Sequence, residues 1–128
     1  MTDVAYAPGH THTISFGKEV AEALLKPSVE LRHAIPDVYA GFKHMHDSAL
    51  ADGALSRKHK ELIALAMAVG NECDGCIASH ARGAAKFGAT KEEVAEMLGV
   101  AILMMGGPGT VYGPRAYAAF LEFSQPAQ

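Results

Sequence analysis

An unbroken apolar run, Leu62 to Val69, constrains this fold more than any other feature of the sequence. A helix carrying it is apolar on every side, so other elements must surround it and bury it all round. Ser56 is a suitable N-cap for such a helix, which the pattern predicts from Arg57 to about Gly70, with Gly70-Asn71 as its stop. Glu61 enters the run from its N-terminal side and shares a face with Leu65 and Ala68. It is the one carboxylate in apolar surroundings there, and desolvation disfavours its charge.

The remaining segments also read as helices. Phe16 to Lys26 has Val20, Ala23 and Leu24 on one face, and Pro27 is expected to stop or reset it before a short segment from Val29 to Ala34. Pro36 suits the first turn of a helix to Ala51, with Val38, Phe42, Met45 and Ala49 at helical spacing. On it His44 and His46 are two residues apart and point different ways, so they read as solvent or interface residues rather than a metal pair. Asp74 is expected to cap a helix through about Phe87, closed by Gly88. Thr90-Lys91-Glu92-Glu93 is a capping box that opens a helix to about Met105. Gly106-Gly107-Pro108-Gly109 reads as a loop before a last helix to about Phe123, kinked at Gly113-Pro114.

No segment alternates with period two between turns, so the expected fold class is all-α, a compact domain of about six helices spanning residues 16–128. Residues 1–15 have no helical period and read as an extended arm, in which His10 and His12 belong to a polar segment. The chain is 49% hydrophobic and 20% charged, which fits a globular domain rather than a disordered one. A formal net charge of -3 gives no basis for a nucleic-acid partner. The start lacks a basic and apolar leader pattern, and no apolar run is long enough to span a bilayer, so a cytoplasmic location without membrane insertion is expected.

In a reducing compartment a close cysteine pair is more often catalytic or metal-binding than structural. The two cysteines of this chain form Cys73-Asp74-Gly75-Cys76, and His80 follows. Cys76 falls in the first turn of the helix opened by Asp74, where free N–H groups and the helix dipole favour a thiolate. His80 lies one turn further on and can accept the thiol proton or pair with the thiolate. Cys73 is placed to act as a resolving partner. Two other readings remain open at this point: a pair of inert reduced cysteines, and a zinc site made of Cys73, Cys76, His80 and Glu61.

Glu61, Cys73-x-x-Cys76 and His80 together resemble the motif of the alkylhydroperoxidase D-like family, within the carboxymuconolactone decarboxylase superfamily. The flanks are similar too: Leu55-Ser56-x-Lys58-x-Lys60-Glu61 before the motif, and Gly88-Ala89-Thr90-x-Glu92-Glu93-Val94 with Gly106-Gly107-Pro108 after it. The likeness runs from about Val38 to Phe120. It implies an all-helical domain that assembles as homotrimers or as homohexamers built from them. It also implies thiol-dependent reduction of a hydroperoxide, with an external dithiol or reductase as the second partner and no metal, haem or flavin cofactor. Carried over by position, Cys76 is the peroxidatic cysteine, Cys73 the resolving thiol, and His80 with Glu61 the proton relay. Where the best-known members have a histidine before the second cysteine, this chain has Gly75.

Two other functions compete with that reading. One is a carboxymuconolactone decarboxylase-type lyase, which needs no thiol pair and wants a cationic pocket; the sequence shows no arginine cluster to build one. The other is a non-enzymatic redox-sensing or adaptor protein whose disulfide changes its assembly.

Overall fold

The computed structural model describes residues 14–126 and contains six α-helices: α1 (Lys18–Ala34), α2 (Pro36–Leu50), α3 (Arg57–Gly70), α4 (Asp74–Lys86), α5 (Lys91–Met105) and α6 (Gly107–Ser124). The expected N-terminal arm lies outside the described residues except for Ile14 and Ser15. Among the described residues there is no strand, as the lack of period-two alternation requires.

Local chemistry sets most helix ends. The Ser56 hydroxyl accepts from the His59 N–H, and the Thr90 and Glu93 side chains close the capping box reciprocally. The end of α3 is tied by two bonds, from the Glu72 N–H to the Val69 carbonyl and from the Cys73 N–H to the Ala68 carbonyl. This Schellman arrangement needs a left-handed residue, and Glu72 supplies it at φ 53° without being glycine. Gly88 does the same for α4 at φ 87°.

Three expectations are corrected. Pro27 does not stop the first helix: α1 runs through it, and Ala23, whose carbonyl loses its helical N–H partner, is exposed, so the bond is lost on the solvent side. The Gly106-Gly107-Pro108-Gly109 segment is not a loop. Only Gly106, at φ 66°, stands between α5 and α6, and Pro108 sits in the first turn of α6, where its missing N–H costs no helical bond. Gly109 then lets α6 approach α5 closely, since a Cβ there would lie 2.8 Å from the Ile102 Cα. Finally, α3 is not buried all round; Ile63 and Met67 are 48% and 62% exposed and form an apolar depression with His59, Ala66, Met97 and Val100.

The core lies between α3, α4, α5 and α6, where Leu65, Val69, Ile77, Ala81, Val94, Ala116 and Phe120 are buried. A fully buried side chain such as Phe120 contributes roughly 1.5–3 kcal/mol. The alanines of α4 and α6 allow those two helices to pack closely. α1 lies across α4, and α2 returns toward α3. Glu122 of α6 pins the start of α1 by accepting from Ser15 Oγ and the Gly17 and Lys18 N–H groups. Partial burial works against its charge, but these donors outweigh burial and hold its carboxyl below the usual range.

Candidate active site

The four residues expected at the site arrive as two pairs on α3 and α4. Cys73 and Cys76 are joined in a disulfide with Cα atoms 5.2 Å apart. Glu61 and His80 are hydrogen-bonded, with His80 Nδ1 2.8 Å from Glu61 Oε2. The short turn after α3 folds α4 back along it, which brings together positions 19 residues apart in sequence. His80 stands one helical turn after Cys76, so it links the pairs along one face of α4. A zinc site would need all four groups around one point, whereas the structure gathers them as two separate pairs, with no cluster of three metal-binding side chains among the described residues.

The helix opens one residue earlier than expected. Cys73 itself is the N-cap of α4, and its Sγ accepts from the Cys76 N–H at 3.3 Å. The N-terminal field of α4 therefore acts on Cys73 as well as on Cys76, and favours negative charge on either sulfur once the bond is reduced. Cys76 is exposed and Cys73 is partly covered, so the outer sulfur is the one an incoming reagent meets first. Asp74, freed from capping, pairs with Arg115 of α6 at 3.0 Å. Beside Gly75, Leu24 of α1 occupies the space; a Cβ at 75 would be 2.9 Å from Leu24 Cδ1.

Glu61 is only 2% exposed, yet both its oxygens are engaged. Oε2 accepts from His80 and Oε1 accepts from Arg57 Nε at 2.9 Å. The expectation of a carboxylate in purely apolar surroundings missed Arg57, one turn before Glu61 on α3; its guanidinium also stacks on the Phe87 ring, 4.3 Å from the centroid. The i,i+4 spacing of Arg57 and Glu61 was the available signal. With Glu61 accepting at Nδ1, the neutral His80 ring presents an unprotonated Nε2, the atom able to take a proton from a thiol.

Gly83 also went unmarked in the sequence. A Cβ on Gly83 would overlap Glu61 Cδ and Oε2 and lie 2.7 Å from Oε1. Gly83→Ala should raise the helix propensity of α4 by about 1 kcal/mol but push the clamped carboxylate out of place. We expect the reduced Cys76 thiol to react at least about tenfold more slowly with a disulfide reagent, by loss of the oriented base, while α4 still forms; wild-type thiol reactivity in a purified, folded Gly83→Ala protein would refute it. His46 of α2, expected to face solvent or an interface, is 33% exposed and also lies near His80, with ring centroids 6.4 Å apart.

The sequence profile of the carboxymuconolactone decarboxylase family matches residues 36–122, which cover α2 to α6 and every residue of this site. The chain belongs to that family. A carboxymuconolactone decarboxylase family protein from Legionella pneumophila, solved in its apo form, is 40% identical and has a TM-score of 0.80, covering 84% of this chain and 96% of its own. An uncharacterized protein of Cupriavidus necator is 41% identical over 90 residues, 70% of this chain and 80% of that protein. Uncharacterized protein 4 in the cox locus of Paracoccus denitrificans is 40% identical over 72 residues, 56% of this chain and 65% of that protein. The carboxymuconolactone decarboxylase fold thus accounts for the six helices, and the site lies where α3 and α4 meet. No described helix is long and apolar enough to cross a membrane.

Proposed function

We infer that this chain is a thiol-dependent peroxidase-like oxidoreductase that reduces hydroperoxides through a Cys73–Cys76 disulfide cycle. The observation that carries the reading is that α4 carries both the disulfide and, one turn after Cys76, the His80 that ends the Arg57–Glu61–His80 chain of hydrogen bonds. In the reduced protein, His80 Nε2 takes the Cys76 proton. The Cys76 thiolate attacks the outer oxygen of the hydroperoxide, the O–O bond breaks, and the alkoxide leaves as an alcohol with the proton from His80. Cys73 then gives its thiol proton to the relay and attacks the sulfur of the Cys76 sulfenic acid; the S–S bond forms, the S–O bond breaks, and hydroxide leaves as water with that proton. An external dithiol attacks the exposed Cys76 sulfur, and Cys73 leaves as a thiolate favoured by its capping position; the dithiol's second thiol then attacks the mixed disulfide, releases Cys76 and leaves as the oxidised dithiol. No metal or other cofactor takes part in this scheme.

The arginines argue against the lyase reading. Arg57 is held by Glu61, Arg115 by Asp74, and Arg82 lies over the Phe123 ring, so these three do not converge on a pocket for substrate carboxylates. The adaptor reading shares the disulfide but leaves the Glu61–His80 pair without a task. Apolar side chains exposed on α3 and α5, among them Ile63, Met67, Leu103 and Met104, support assembly of this chain as a homotrimer or homohexamer.

The direct test is consumption of an alkyl hydroperoxide by purified protein in excess dithiothreitol, with disulfide formation followed by mass spectrometry. We expect catalytic consumption, and one disulfide per subunit when dithiol is withheld. A protein that is fully reduced, correctly folded and unable to consume hydroperoxide would exclude the peroxidase reading and leave the adaptor.

A further inference from the structure

We propose that the groove between α1 and α2 holds the substrate's chain, and that the hydroperoxide reduced by this protein is that of a long-chain fatty acid. The proposal rests on the peroxidase reading and deepens it by naming the substrate class. The groove begins at the disulfide. Gly75, between the two cysteines, has no side chain, and Leu24 of α1 takes that space, with Cδ1 2.9 Å from where a Cβ would stand. Leu31 is seven residues further on, so it shares the Leu24 face of α1 roughly 10 Å along the helix. There Leu31, Ile35, Val38, Tyr39 and Phe42 line a hollow of about 360 Å³ between the two helices. Phe42 brings the groove back toward the site: its ring centroid is 6.4 Å from that of His46, which is 6.4 Å from that of His80. The apolar wall thus has Leu24 beside the cysteines and Phe42 on the His80 side.

The chain leaves this wall uncovered. α1 has no buried residue along its 17, and Leu24, Leu31 and Phe42 are 45%, 49% and 60% exposed. The apolar faces of α3 and α5 that support assembly share none of these residues. A long apolar chain laid along the groove removes this surface from water, which a hydroperoxide without such a chain cannot do. The far end of the groove is cationic. A second hollow, of about 490 Å³, shares Tyr39 and Phe42 with the first and adds Arg32, His33 and Lys43. Lys43 is paired with Asp47, whereas Arg32 makes no ion pair among the described residues. Reactive sulfurs at one end, an apolar wall between, and an arginine at the other end match a ligand with a peroxide, an apolar chain and a terminal carboxylate. A fatty-acid hydroperoxide carries all three in that order. Its reduction is the two-electron step given above: the alkoxide takes a proton and leaves as the hydroxy acid, and the outer oxygen stays on Cys76 until it leaves as water when the disulfide forms.

The experiment measures the second-order rate at which reduced protein is oxidised by linoleic acid hydroperoxide, by its methyl ester and by tert-butyl hydroperoxide, with the lipids kept below the concentration at which they form micelles. We expect the acid to react at least about tenfold faster than tert-butyl hydroperoxide, the lower end of what a fitted apolar surface contributes. Leu31→Asn, two turns from the residue beside the cysteines, should bring that ratio close to one, whereas Leu31→Met should keep it. Arg32→Gln should lower the ratio of acid to ester. A folding defect lowers all three rates together, so it imitates neither change. Equal wild-type rates for the acid and tert-butyl hydroperoxide, or a ratio that Leu31→Asn does not move, would overturn the groove as the substrate site. An acid-to-ester ratio that Arg32→Gln does not move would overturn its carboxylate end. A smaller sedimenting mass for Leu31→Asn than for wild type would also overturn the proposal, because a second copy of the chain would then cover the groove. If wild type reacts with none of the three, the peroxidase reading falls instead. Calorimetric titration of the disulfide form with linoleic acid then decides on the groove: one molecule bound per subunit and lost in Leu31→Asn supports it, and no binding, or binding unchanged in that variant, overturns it.

Discussion

Cys76→Ser will abolish hydroperoxide consumption, whereas Cys73→Ser will carry out one oxidation per subunit and stop. The difference follows from where the two sulfurs stand. Cys76 is exposed and precedes His80 by one turn, so it meets the peroxide and has a base on its own helix face. A serine hydroxyl there lacks the acidity and nucleophilicity to attack an O–O bond, and activity should drop to the uncatalysed level. Cys73 is partly covered and caps α4 through its sulfur. With Cys73→Ser the hydroxyl still caps the helix, so the fold is preserved and Cys76 still reacts. Its sulfenic acid then has no partner and persists long enough to be labelled by dimedone. The measurement is peroxide consumed per subunit with and without dithiol, together with the mass of the labelled protein. Multiple turnovers by Cys76→Ser, or exclusive labelling at Cys73 in that variant, would reverse the assignment. The hydrogen bond that the Cys76 N–H donates to Cys73 Sγ makes the second outcome a real competitor.

The sequence and the structure agree where the information is local. The Ser56 and Thr90 caps, and the glycine stop at Gly88, are contacts within a few residues, and each fell where expected. The Glu61–His80 pair was foreseen as a set but not as a bond, because helical spacing places each residue on its own helix and says nothing about how α3 and α4 meet. Arg57 goes unnoticed as a partner in the sequence, although Glu61 follows it at i+4; the buried carboxylate holds the cation, which also lies on Phe87. Gly83 and His46 could not be found by periodicity at all. Gly83 matters because a carboxylate from another helix rests on its backbone, and His46 because α2 returns toward α3 and brings that ring near His80. The misjudged prolines share one cause: Pro27 and Pro108 stand where an exposed carbonyl or a first turn removes the penalty that their type predicts. Ile63 and Met67 were expected inside because an apolar run was taken to imply burial within one chain, which holds only if the chain itself supplies every neighbour.

Glu61→Gln will separate orientation from packing at this site. The amide has nearly the shape of the carboxylate, so it fits against the bare backbone of Gly83 as the carboxylate does. Its oxygen can serve only one of the two donors that the carboxylate serves. If the oxygen stays with Arg57, the NH2 faces His80 Nδ1 and selects the ring form with the proton on Nε2, so the base that should receive the thiol proton is blocked. If the oxygen turns to His80, the NH2 faces the Arg57 guanidinium and the cation loses its partner in a site where its side chain is only 24% exposed. Either arrangement lowers turnover, by about 100-fold on the scale of lost base catalysis. Loss of the charged bonds should lower stability by about 1–3 kcal/mol. The two losses have different signatures. Restoring stability with an osmolyte would recover the folded fraction but not the rate per folded molecule, and the single-turnover rate should rise with pH as hydroxide takes over from His80. A Glu61→Gln protein whose rate per folded molecule equals wild type would show that Glu61 serves packing alone, and would remove the relay from the mechanism while leaving the disulfide cycle standing.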